Sequence, residues 1–116
     1  MINVITSSRY TIDRKKIRQL LSFHLAERGL GNEFVLNVIF VGRNKMKTIT
    51  SKYKHENETL PVLSFHYKGE RTEDGKMLGE VIVCYPLAVL LAAERSKKVD
   101  DMVVFLVKHG VDNLLR

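Results

Sequence analysis

The stretch EFVLNVIFVG, Glu33 to Gly42, sets the frame for the whole chain. It is a dense apolar run of strand length, held between the turn-formers Asn32 and Gly42, and it reads as a buried β-strand. On its N-terminal side, TIDRKKIRQLLSFHLAERGLG places Ile12, Ile17, Leu20, Leu21, His24 and Leu25 at helical spacing. Thr11 is the expected N-cap, and Gly29 or Gly31 the expected stop. Before it, the β-branched alternation of INVIT suits a first strand.

On the C-terminal side, RNKMKTITSKYK sets Met46, Ile49 and Tyr53 three and four apart, the pattern of a short amphipathic helix. LPVLSFHY and LGEVIVCY read as two further strands. The polar turn GERTEDGKM between them predicts an antiparallel pair. Pro86 suits the first turn of PLAVLLAAERS, whose apolar residues run almost all the way round and predict a buried, central helix. In the last segment, Val99, Met102, Val103, Leu106, His109, Gly110, Asn113 and Leu114 form one stripe of a final helix. The expected fold class is therefore α+β: a mixed four-stranded sheet packed with about four helices, as a single domain over residues 1–116. No Gly-rich phosphate loop follows a strand, which speaks against a Rossmann or P-loop reading.

The chain has 116 residues, 45% hydrophobic and 28% charged, the balance of a globular protein rather than a disordered tail. No apolar run reaches membrane-spanning length and the N-terminus lacks a secretory pattern, so no membrane partner and a cytoplasmic address are expected. The lone cysteine, Cys84, lies inside VIVCY and reads as a small buried hydrophobe. The formal net charge of +6 favours polyanions such as nucleic acid. Arg43, Lys45, Lys47, Lys52 and Lys54 crowd one short helix without a carboxylate, an arrangement easier to understand if RNA is bound there than as a plain solvated face. Arg14, Lys15, Lys16 and Arg18 have Asp13 and Glu27 nearby and read as an exposed face.

Three ordered stretches resemble the YbeY family, metal-dependent endoribonucleases that act in ribosomal RNA maturation. Val62, Leu63, Ser64 and Phe65 match the end of the family's Thr-Asp-Val-Leu-Ser-Phe. Leu78 to Cys84 match Leu-Gly-Asp-Ile and its apolar strand, with Glu80 at the aspartate. His109, Gly110 and Leu114 match His-Gly-x-x-His-Leu-x-Gly-x-Asp-His. The resemblance implies the same α+β scaffold with its mixed sheet, a zinc cofactor, and single-stranded or ribosomal RNA together with ribosomal small-subunit proteins as partners.

It also implies site residues. His109 takes the place of the first metal ligand and Asn113 that of the second, while Arg116 replaces the motif's glycine and the third histidine's place lies beyond it. An amide oxygen is a weaker ligand than imidazole. Lys54 stands for the arginine of a Tyr-Arg pair, the implied catalytic phosphate holder, as a point charge without a planar fork. Leu60 and Pro61 replace Thr-Asp. His24, His55 and His66 lie on separate elements without ligand spacing, although His66 could pair with His109, and Ser64 reads as structural. Two functions are therefore expected: a metallo-endoribonuclease whose incomplete zinc site leaves cleavage weak or lost, or a non-catalytic RNA- or ribosome-binding module.

Overall fold

The structure is a computed structural model that describes residues 1–54, 59–67 and 70–116; of Lys54 only the backbone is described. The elements run β1 (Ile2–Ile5), α1 (Arg14–Ala26), β2 (Phe34–Val41), α2 (Arg43–Lys54), β3 (Val62–His66), β4 (Arg71–Thr72), β5 (Gly75–Cys84), α3 (Tyr85–Glu94) and α4 (Val99–Leu114). The sheet order is β1-β2-β5-β3, with β4 also paired to β5. β1, β2 and β5 are parallel; β3 and β4 run antiparallel to β5. The sheet is thus mixed, but five-stranded rather than four-stranded. The additional strand is two residues long and lies inside the stretch expected as a turn, where Thr72 pairs with Gly75 across a tight hairpin.

Side-chain alternation divides the sheet between two cores. On one face Val4, Leu36, Val38, Phe40, Val81 and Val83 pack beneath α1, α3 and α4. On the other, Val41, Leu63, Ile82 and Cys84 pack with Met46 of α2. Leu78 and Val81 are three apart yet share the first core, because the register shifts between Val35 and Leu36 and leaves Leu78 as a bulge.

Local chemistry sets the helix ends. Asp13, not Thr11, caps α1: its carboxylate accepts from the Lys16 amide at 3.0 Å. Gly29, at φ +78°, closes the helix as the left-handed residue of a Schellman turn, with the Leu30 amide donating to the Leu25 carbonyl at 3.0 Å. Pro86 sits in the first turn of α3 as expected. That helix is not central, however. Only Ala88 and Ala92 are buried; Tyr85, Leu87 and Leu91 pack half-buried at the margins of the cores, while Val89 and Leu90 face outward at 38% and 44% exposure.

Two glycines seat α4 on the sheet. A Cβ on Gly110 would come within 2.5 Å of Val81 Cγ1, and one on Gly79 within 2.9 Å of Leu114 Cδ2. The Ser64 hydroxyl, in the strand facing Gly110, donates to the Gly110 carbonyl at 2.7 Å. Among the described residues, no helix is long and apolar enough to cross a membrane.

Candidate nucleic-acid interface

The basic segment forms one helix, α2, over the expected span. Met46 and Thr50 are its fully buried positions. With 3.6 residues per turn, Lys45 and Lys52 fall on one flank of that buried stripe, and Arg43 and Lys47 on the other. All four side chains are exposed. The cations thus line both sides of the helix instead of one groove wall. Lys54 closes the helix, and its side chain, like His55, lies outside the described residues.

Cations at a helix start face the positive end of the peptide dipoles, and no carboxylate offsets Arg43 and Lys45 in the first turn. Among the described residues the ion pairs are those of Asp112 with His24 and with Arg28, so none involves an α2 cation. Arg43 and Lys45 border an open crevice of about 950 Å³ at the ends of β1 and β2, together with Arg9 and Tyr10. This rim is basic and uncompensated.

Beside α2, on the same face of the sheet, one cross-strand row is polar. Asn3, Asn37, Glu80 and Phe65 are direct partners across β1, β2, β5 and β3. Asn3 Nδ2 donates to Asn37 Oδ1 at 2.9 Å, and Asn37 Nδ2 donates to Glu80 Oε2 at 3.2 Å. From the far side the Tyr67 hydroxyl donates to Glu80 Oε1 at 2.9 Å. That bond, together with desolvation, pushes the Tyr67 hydroxyl above its ordinary pKa, so it stays protonated as a donor. Tyr53 of α2 meets Phe65 edge-on at 5.2 Å between centroids, and Lys52 Nζ lies 5.3 Å from the Tyr53 ring centre. The motif match marks Glu80 alone, and neither it nor periodicity shows that Asn3, Asn37 and Tyr67 join it. The row's trace in the sequence is the asparagine interrupting FVLNVIFV and the glutamate interrupting LGEVIVC.

The expected metal residues sit on α4. His109 is exposed, off the buried stripe, with its ring 6.4 Å from that of Phe105; Asn113 is half-buried one turn on. The buried stripe runs instead through Val103, Leu106, Val107, Gly110, Val111 and Leu114. His66 ends β3 opposite Gly79 and is exposed. Among the described residues, no three His, Cys, Asp or Glu side chains are grouped to hold a metal ion. Asn113 offers a neutral amide oxygen where the family motif has an imidazole, a weak donor to zinc, so His109 and Asn113 do not by themselves fit the ion. His24 belongs to a separate cluster, in which its Nε2 is 2.8 Å from Asp112 Oδ1 and its Nδ1 is 3.3 Å from Arg28 Nη1. Cys84 is fully buried in the α2-side core, and that burial pushes its thiol pKa up.

This architecture defines an α+β protein with a cationic helix laid on one face of a mixed sheet. A family profile for endoribonuclease YbeY matches residues 4–115, and the chain belongs to that family. It is 28% identical to endoribonuclease YbeY of Dehalococcoides mccartyi over 129 aligned residues, covering 98% of this chain and 81% of the relative. It is 29% identical to the Neorickettsia sennetsu protein of the same name, covering 96% and 77%. The solution structure of TM1509 from Thermotoga maritima superposes with a TM-score of 0.67 at 20% identity, over 96% of this chain and 69% of that one, and so shares the fold.

Proposed function

We propose that this chain is an RNA-binding member of the YbeY family acting in ribosomal RNA maturation, and that it grips single-stranded RNA through α2. The observation that carries the reading is the set of exposed cations Arg43, Lys45, Lys47 and Lys52 on one helix, with no described carboxylate paired to them. Phosphates would replace the missing counter-charge, and their contacts would fix the strand along the helix. Lys54 extends the same segment and is the residue we assign to the phosphate nearest any scissile bond. The relatives named endoribonuclease YbeY support RNA as the ligand, and ribosomal small-subunit proteins are the accompanying partners we propose.

Cleavage is expected to be weak or absent, because His109 and Asn113 do not supply the donors of a catalytic zinc. The donor set thereby favours the second reading, a binding module on the same scaffold, as the limit of the first. Lys45→Glu with Lys52→Glu should weaken binding of a labelled single-stranded oligoribonucleotide at least tenfold at low salt, while His109→Ala leaves binding unchanged. Binding that survives the charge reversal would remove α2 from the interface. Robust cleavage that stops on chelation and on His109→Ala would restore the metallo-nuclease reading.

A further inference from the structure

We infer that the polar row beside α2 is a base-reading subsite, in which Glu80 accepts hydrogen bonds from the Watson–Crick edge of an unpaired guanine. This rests on the RNA reading above and adds a sequence preference to it. The hydrogen bonds of the row converge on Glu80: Asn3 donates to Asn37, Asn37 donates to Glu80, and Tyr67 donates to Glu80 from the opposite side. The first bond fixes the Asn37 amide so that its NH₂ group faces the carboxylate. Each Glu80 oxygen then holds one internal bond and keeps a second lone pair, so the carboxylate is fixed in place and offers only acceptors.

Guanine is the RNA base whose Watson–Crick edge presents two adjacent donors, N1–H and N2–H, matched to the two oxygens of a carboxylate. The surroundings suit a base. Phe65 is the cross-strand neighbour of Glu80, Tyr53 meets Phe65 edge-on, and Tyr53 is 55% exposed, so aromatic surface stands beside the acceptors. The carboxylate repels phosphate, while Lys52 next to Tyr53 attracts it, which orients a strand with its bases toward the sheet and its backbone toward α2. The same lysine disfavours a basic peptide as the occupant.

The test uses the full chain and fluorescein-labelled nine-residue strands: oligouridine, and the same strand with a central guanine, inosine or adenine. The guanine strand should bind roughly tenfold tighter than the adenine strand, with inosine, which lacks the N2 amine, in between. Glu80→Gln offers one donor and one acceptor, the complement of adenine, and should move the preference from guanine to adenine. Tyr67→Phe keeps the carboxylate but frees one oxygen, and should narrow the preference without reversing it. Equal affinity for all four strands overturns the inference while leaving the α2 reading intact, and that is also the result expected if the row receives a basic segment of another protein. A guanine preference untouched by Glu80→Gln overturns it as well. Failure of every strand to bind at low salt overturns both.

Discussion

Gly110 packs α4 against the sheet, where a methyl group would collide with the fully buried Val81. Gly110→Ala should therefore cost about 1–3 kcal/mol as helix and strand separate, read as a lower urea midpoint; an unchanged midpoint would mean that the helix has room to move off the strand. Tyr67 carries a second residue-scale prediction. Its hydroxyl titrates above the ordinary value of 10.0 because the folded state favours the protonated donor to Glu80. That contribution is fully present below the unfolded-state value and is lost as pH rises through the folded one. Glu80→Gln should move the Tyr67 transition down in an ultraviolet pH titration, and a transition that stays put would remove the hydrogen bond as its cause. Cys84, buried and with its thiol pushed up, should react with iodoacetamide at neutral pH only after unfolding; rapid labelling of the native protein would contradict its burial. Single residues were only partly readable from the sequence. The glycine of the His-Gly pair was visible as a motif, but its reason, contact with Val81, depends on a strand 29 positions away in the chain.

Among the elements, α2 and the long strands were legible because periodicity alone specifies them. Met46, Ile49 and Tyr53 mark a helix, and the unbroken apolar runs mark β2 and β5. The short β4 was not legible, since two residues carry no period and their pairing comes from the hairpin around them. The outward position of α3 was hidden for another reason: an apolar sequence does not say how many sides will find neighbours. His24 followed the apolar stripe and is buried, yet its partner on α4 could not be foreseen. His24 Nε2 meets Asp112 Oδ1 at 2.8 Å, His24 Nδ1 meets Arg28 Nη1 at 3.3 Å, and Arg28 Nη2 meets the same Asp112 oxygen at 3.0 Å. This cluster ties α1 to the last turns of α4. Asp112→Ala should cost on the order of 1 kcal/mol, limited by the solvent exposure of Arg28 and Asp112, and should speed amide exchange at the end of α4. Unchanged exchange there would show that the glycine contacts hold the helix alone.

For the molecule as a unit, the family scaffold and a basic face occur together with an α4 that carries one imidazole and one amide at the motif positions. The overall charge of +6 and the crowding of cations into one helix are plain from the order of residues alone. The distribution of those cations on two flanks required knowing which side of α2 is buried, and the polar row beside them required the sheet register. Everything proposed for this chain depends on RNA binding belonging to α2 and needing no metal held by the chain itself. The affinity for a single-stranded oligoribonucleotide in excess EDTA, followed as salt is raised, decides this. Binding should persist in EDTA, fall linearly in log–log form with salt, and lose slope in Lys45→Glu with Lys52→Glu. Binding that vanishes in EDTA and returns with zinc would contradict it.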